Sequence, residues 1–238
     1  MRATIRAVLF DKDGTLFDFS ATWRGAARRF LEMLAPGDPA LQRRLGASVG
    51  FDADTGRFAP NSPLVAGAAS EVAETLERLL PGRAAAALEA AANAAAEGIG
   101  LSTLTPATDD LPGLLDGLRA RGLALGVATH DSEAAARAHL GAVGALDRFA
   151  FIAGYDSGHG LKPGPGMVLA FAEAVGVAPA EIVMVGDSAH DLGAARAAGA
   201  VAVGVLTGPA APEDLAPLAD AVLASIADLP AFLGVKVS

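Results

Sequence analysis

Six short apolar runs, most of them rich in β-branched residues, recur along the chain with helical patterns between them. This alternation restricts the fold more than any other feature. The runs are TIRAVLF (4–10), LALGVAT (123–129), FAFIAG (149–154), EIVMVG (181–186), AVAVGVL (200–206) and, more weakly, DAVLAS (220–225). Helical patterns fall at 109–122, 131–144, 165–176 and 191–199, and Gly122, Gly176 and Gly199 stand where C-terminal caps are needed. Strands that alternate with helices of this length imply parallel β-α-β units, so the expected fold class is α/β with a doubly wound parallel sheet.

One segment breaks the pattern. Residues 19–104 are far too many for an ordinary connection between a strand and a helix. They carry helical patterns at 20–34, 38–47, 64–80 and 82–98, interrupted by the loop GFDADTGRFAPNSP (50–63). The expected organisation is a core built from 1–18 and 105–238, with 19–104 as a helical domain inserted into the first crossover. Insertions at such connections leave a sheet intact. The hinges are expected near Asp18 and near Leu104–Ala107.

Composition narrows the partners. A net charge of −9 and a pI near 4.8 argue against a nucleic-acid binder, which carries a basic face. The absence of cysteine excludes disulfides, thiolate metal sites and cysteine nucleophiles, and is compatible with a cytoplasmic protein. The apolar run before Asp11 is too short for a signal peptide, and no run has the length to span a membrane. Oligomeric state is not legible here.

Ligands of open parallel sheets bind beyond the carboxyl ends of the strands. The first strand delivers Asp11 and Asp13, followed by Gly14 and Thr15; the second delivers Thr129, His130 and Asp131. The fourth delivers Asp187, with Asp191 a helical turn on, and Lys162 follows the third in GLKPGPG. Asp11, Asp13 and Asp187 are hard oxygen ligands of the kind Mg²⁺ takes together with water and substrate phosphate. A cation relieves their mutual repulsion and draws a phosphoryl group into an acidic pocket. Thr129 and Lys162 are placed to hold phosphate oxygens, and backbone N–H groups of the turn after Asp13 are further candidate donors. A carboxylate aimed at phosphorus can act as a nucleophile and form an aspartyl-phosphate.

DKDGTLFD (11–18), the threonine of VATHD (127–131), the KP of LKPGPG (161–166) and GDSAHDLGAARAAGA (186–200) are similar, in order and spacing, to the four motifs of the haloacid dehalogenase-like hydrolase superfamily. Within it the chain resembles the phosphoglycolate phosphatase and β-phosphoglucomutase-like branch. The resemblance implies a Rossmann-like core with a helical cap, and a phosphatase acting on a small phosphorylated metabolite, a phosphoglycolate-like one first and a sugar phosphate otherwise. It implies Asp11 as nucleophile and metal ligand, and Asp13 as general acid and then base, its carbonyl reaching the metal. Thr129 and Lys162 would bind the phosphoryl group, Asp187 would complete the metal site and Asp191 would support it. Dehalogenases of the superfamily lack the second acid, so Asp13 favours phosphate esters.

Some positions carry a plainer reading. Asp191 stands equally where a helix start favours an acid. Asp18 marks the hinge, His139 and His159 read as surface or loop residues, and His190 as a local packing residue. Lys12 should alternate away from the two acids, and His130 is a candidate for substrate contact. Arginines on a helix usually form a solvated face and Trp23 usually packs. A cap selecting an anionic substrate would still need a cation, for which Arg24 and Arg28 are the candidates, with Arg57 in the cap loop an outside one. Two rivals share these residues: a phosphomutase, and a phospho-accepting signalling domain, which would lack the helical insert.

Overall fold

The computed structural model describes residues 4–59, 62–97 and 104–234. Its strands are β1 (Ala7–Phe10), β2 (Phe51–Asp52), β3 (Arg57–Phe58), β4 (Ala124–Ala128), β5 (Phe151–Ala153), β6 (Ile182–Gly186), β7 (Val201–Val205) and β8 (Ala221–Leu223). Six of them form one sheet in the order β5-β4-β1-β6-β7-β8, and every neighbouring pair in it is parallel. The chain therefore builds outward from β1 in two directions, first through β4 and β5, then through β6, β7 and β8. Such a reversal opens a crevice at the carboxyl ends of the central strands.

Both faces of the sheet are covered, which is why the strands read as apolar runs and not as alternating ones. On one face Val8, Phe10 and Leu125 pack against Leu111, Leu115 and Leu118 of α6 (Leu111–Arg119) and Leu140 of α7 (Glu133–Ala142). On the other, Ala7, Leu9 and Met184 meet Met167 and Phe171 of α8 (Gly166–Val175) and Leu192 of α9 (Ala189–Ala198). Burial of each large side chain contributes roughly 1.5–3 kcal/mol, so the pattern of Val8, Leu9 and Phe10 fixes which helix lies on which side. Helices α8 and α9 end on the left-handed caps Gly176 and Gly199, whereas α6 ends sooner, on Ala120, with Gly122 in the following turn.

The insert has a hydrophobic cluster of its own. Helices α1 (Phe19–Leu34), α2 (Pro39–Ser48), α3 (Pro63–Ala66), α4 (Ala69–Glu77) and α5 (Ala85–Glu97) gather Leu31, Leu45, Phe51, Leu76 and Leu88 into it. Two details differ from the sequence expectation. The 50–63 loop contains an antiparallel ribbon, β2 against β3, pairing Phe51 with Phe58. Its turn is fixed by Asp52, whose Oδ1 accepts the N–H groups of Asp54 and Thr55. The 64–80 helix is also broken, because Gly67 and Ala68 are extended and α4 starts afresh with Glu71 accepting the Ala68 N–H.

Where the chain leaves and re-enters the core, the two passes pair. The Asp18 N–H donates to Thr105 O at 2.8 Å, and the Ala107 N–H to Leu16 O at 2.9 Å. A second tie joins insert and core: the Tyr155 hydroxyl, beyond β5, donates to Glu89 Oε1 at 2.7 Å and accepts from Asn93 Nδ2 at 2.7 Å. Together they seat the helical cap over the carboxyl end of the sheet.

Candidate active site

β1 ends at Phe10, and the next three residues turn across the crevice as Asp11, Lys12 and Asp13. Gly14 completes the turn at φ +85°, a conformation that side chains rarely take. Its N–H donates to Phe17 O and is therefore occupied within the turn. β4 delivers Thr129, β6 delivers Asp187, and Asp191 sits in the first turn of α9, all of them buried. Sequence positions far apart thus share one cavity, lined by Asp11, Asp13, Thr129, Lys162, Asp187 and Asp191 among others.

Lys162 organises the floor. Its Nζ donates to Asp11 Oδ1 at 2.7 Å, to Asp191 Oδ1 at 2.6 Å and to Ala128 O at 3.0 Å, which saturates an ammonium. Its backbone N–H donates to His130 Nε2 at 2.9 Å, so this ring nitrogen is the acceptor. Asp191 Oδ2 in turn accepts from the Ser188 hydroxyl and N–H, a capping box at the start of α9. Asp191 therefore serves the helix start and the lysine at once. Thr129 Oγ1 accepts the Asp131 N–H at 3.0 Å.

Lys12 departs from the sequence expectation. It does not turn away from the acids: its fully buried Nζ lies 2.5 Å from Asp13 Oδ2, 3.2 Å from Asp131 Oδ2 and 3.1 Å from His139 Nδ1. The strand ends before Lys12, so the two-residue alternation no longer governs its direction. His139 is likewise a buried residue on α7 and not a surface one. Lys12, Asp131 and His139 were missed as site residues. The available signal was a lysine between two acids with a third acid following the threonine of β4.

Electrostatics follow from burial. Asp11, Asp13, Asp131, Asp187 and Asp191 bring five carboxylates against the two ammoniums of Lys12 and Lys162. Burial pushes Asp11 up to about 7, with Asp191 and Asp13 adding to the rise and Lys162 opposing it. Burial, then Asp11 and Asp191, raise Asp187 well above the carboxylate range. Burial would raise Asp191 too, but Lys162 and Ser188 outweigh it and hold that acid low. Lys162 resists the lowering effect of burial because Asp11 and Asp191 flank it, and its pKa lies above the ordinary value.

This surplus of negative charge fits a cation. Oxygens of Asp11, Asp187 and Asp191 lie within 4.8 Å of one another, and the buried Asp187 Oδ2 has no hydrogen-bond partner. The glycines keep the space clear: a Cβ on Gly14 would lie 2.4 Å from Asp187 Oδ2, and one on Gly208 1.7 Å from it. Asp13 also lines the cavity, with its Oδ1 buried and without a partner.

Above this floor the cap contributes a wall that includes Phe19, Trp23, Phe30, Phe58, Leu64 and Val72. Arg24, Arg28, Arg29 and Arg57 are exposed and absent from the lining. Arg24 and Arg28 instead pack beside Gly56 in the β2–β3 turn, where Arg28 donates to Asp54 O. His159 is exposed, His190 half-buried with its ring 5.7 Å from that of His130, and Asp18 half-buried at the hinge. Among the described residues, no helix is long and apolar enough to cross a membrane.

Comparison with known proteins agrees with this arrangement. A family model described as haloacid dehalogenase-like hydrolase matches residues 5–199. Phosphoglycolate phosphatase of Chromobacterium violaceum is 40% identical over 121 residues, which cover 50% of this chain and 54% of that protein. The Escherichia coli K12 phosphoglycolate phosphatase is 37% identical over 94 residues, covering 40% and 37%. The chain thus spans about half the length, or less, of the curated relatives it matches. A hydrolase structure from Pseudomonas syringae superposes with a TM-score of 0.73 at 23% identity, covering 97% of this chain and 98% of that one, and shares the fold. With the family model matching residues 5–199, well over half of the chain and all of the rim residues from Asp11 to Asp191, the chain belongs to the haloacid dehalogenase-like hydrolases.

Proposed function

We propose that this protein is a Mg²⁺-dependent phosphatase that hydrolyses a small phosphorylated metabolite through an aspartyl-phosphate on Asp11. The observation that carries the reading is Asp11 itself, held at 2.7 Å by Lys162 on the cavity floor beside the unpartnered oxygen of Asp187. Asp11, Asp187 and Asp191 would hold the ion, with Asp191 also tied to Lys162 and Ser188. When bound, Mg²⁺ supplies positive charge that favours ionised Asp11 and offsets the charge of the phosphoryl group.

The chain's own residues do the rest. An Asp11 oxygen attacks phosphorus, the bond from phosphorus to the ester oxygen breaks, and that oxygen leaves with a proton from Asp13. Lys12 holds one Asp13 oxygen, which leaves the unpartnered Oδ1 for this transfer. A water then gives a proton back to Asp13 and attacks the phosphorus of the acyl phosphate, releasing phosphate and restoring Asp11. The Thr129 hydroxyl is placed to donate to a phosphoryl oxygen, and Lys162, held by Asp11, Asp191 and Ala128 O, offsets charge from the floor, so positioning and charge account for most of the rate.

The test is phosphate release by purified protein from a panel of phosphate monoesters, with Mg²⁺ and with a chelator. The relatives' name makes 2-phosphoglycolate one member of the panel. Release that needs Mg²⁺ supports the reading. A sugar phosphate that isomerises without net release moves the assignment to a phosphomutase, and no turnover of any ester overturns it.

A further inference from the structure

We infer that the ester cleaved at this site carries an uncharged, apolar, ring-bearing leaving group, in the class of benzylic phosphate monoesters, and not a carboxylate or a polyol. This inference rests on the phosphatase reading and adds the chemistry of the group that leaves.

The cap wall is the reason. Phe19 stacks on Trp23 with ring centroids 6.2 Å apart and 18° between planes, and meets Phe58 edge-on at 4.7 Å. Phe19, Trp23 and Phe58 all line the cavity, together with the aliphatic Leu64 and Val72. Among the described residues, the polar side-chain groups that the cap adds to the lining are the Trp23 indole N–H and the Asn93 amide, both neutral. Asn93 already donates to Tyr155.

Cations are missing from this wall. The insert has eight arginines and neither lysine nor histidine: Arg24, Arg28, Arg29, Arg43, Arg44, Arg57, Arg78 and Arg83. Each is exposed, and none lines the cavity. Residues 60–61 and 98–103, outside the described set, contain no lysine, arginine or histidine in sequence. On the floor, Lys162 and Lys12 each already have three acceptors, and His130, which also lines the cavity, accepts the Lys162 N–H on Nε2.

These facts select among leaving groups. A glycolate carboxylate would be desolvated against aromatic rings while facing a floor rich in carboxylates, and both effects oppose it. The part of a polyol that lies against the cap would bury its hydroxyls beside two neutral polar groups only, and unmade hydrogen bonds weaken binding. A planar ring gains from burial and from edge or face contact with Phe19 and Phe58. Aromatic faces can also take a quaternary ammonium; here the Lys12 ammonium, 5.6 Å from the Trp23 ring centroid, already occupies one such face, and phosphocholine tests the alternative.

The experiment compares kcat/KM for benzyl phosphate, 2-phosphoglycolate, glycerol 3-phosphate and phosphocholine with Mg²⁺ present. Benzyl phosphate and 2-phosphoglycolate share the same CH₂–O–P linkage and differ by phenyl against carboxylate. Benzyl phosphate is expected to exceed the others by at least tenfold, about 1.4 kcal/mol. Leu64→Arg, which adds a cation to the wall, is expected to reduce the preference over 2-phosphoglycolate. If wild-type protein prefers 2-phosphoglycolate, glycerol 3-phosphate or phosphocholine, this inference falls while the phosphatase reading stands. Absence of phosphate release from all four, and from the wider panel, overturns both.

Discussion

The ammonium of Lys12, itself fully buried, lies 2.5 Å from the carboxylate of Asp13, its neighbour in sequence. Asp131 and His139 close the other sides of that ammonium. Lys12 thereby stands under the proposed proton-transfer acid as Lys162 stands under the proposed nucleophile. Two buried lysines divide the acids between them, Asp13 and Asp131 to one, Asp11 and Asp191 to the other.

Lys12→Met keeps the volume but leaves Asp13 and Asp131 buried without their cation. Removing one partner of a buried pair costs on the order of 3–5 kcal/mol. Urea unfolding is therefore expected to show a lower midpoint. Activity should fall through kcat, tenfold or more, with little change in KM, because Asp13 loses its orientation and the phosphoryl site does not. A Lys12→Met protein with wild-type kcat would remove Lys12 from the mechanism.

Asp11 gives a prediction about pH with a definite sign. Burial pushes its folded-state pKa up to about 7, above the ordinary carboxyl value of 3.8, and raises Asp187 as well. Between about pH 4 and about pH 7 the folded state then holds protons that the unfolded state has lost, so stability drains away as pH rises through that window. Asp11→Asn removes one contributor. In chelator, this variant should be more stable than wild type at pH 8 by on the order of a few kcal/mol, at roughly 1.4 kcal/mol per unit, and the gap should close toward pH 4. The variant should also lose phosphate release altogether. Thermal melts of both proteins across pH check the first part; equal melts at pH 8 would contradict it.

Gly208 tests the cation site without touching a ligand. Its Cβ would fall 1.7 Å from Asp187 Oδ2, closer than atoms can approach, so Asp187 must move in Gly208→Ala. Half-saturation for Mg²⁺ in the phosphatase assay is expected to rise at least tenfold, with a smaller fall in the chelator melt because the Asp187 Cβ, 2.6 Å from the added carbon, is crowded as well. The reverse pattern, unchanged Mg²⁺ dependence with a damaged fold, would place the role of Gly208 in packing instead.

Much of this arrangement is legible in the sequence because parallel strands make their own signal. Each buried run is apolar throughout, and the polar residues that terminate it lie on the same rim, so Asp11, Thr129 and Asp187 can be grouped without a structure. Lys12 escapes that logic because it lies beyond the last residue of β1, where the chain turns. His139 escapes because an alanine-rich helix such as α7 has little periodicity to say which face is buried. The ribbon of β2 and β3 is hidden for a third reason: two residues per strand make no pattern, and the Asp52 turn reads as a loop. The lining of the cap depends on how four helices meet, and no single helix carries that information. That is why the arginines of α1 suggested an anion site although they face away from it.

Tyr155 offers a test of how the cap is seated. Its hydroxyl bridges Glu89 and Asn93 of α5, at 2.7 Å each, and Asn93 is part of the cavity lining. The link is therefore a polar contact between the core loop after β5 and the wall that meets the leaving group. Tyr155→Phe removes both hydrogen bonds and leaves the ring. At about 1 kcal/mol net for each, a closed cap loses up to about thirtyfold in population relative to an open one. That loss acts on substrate capture before chemistry, so KM should rise by about three- to thirtyfold with kcat within about twofold of wild type. Glu89→Gln retains an acceptor for the hydroxyl and should fall between the two. A Tyr155→Phe enzyme with unchanged KM would mean that the paired passage at Asp18 and Thr105 seats the cap by itself.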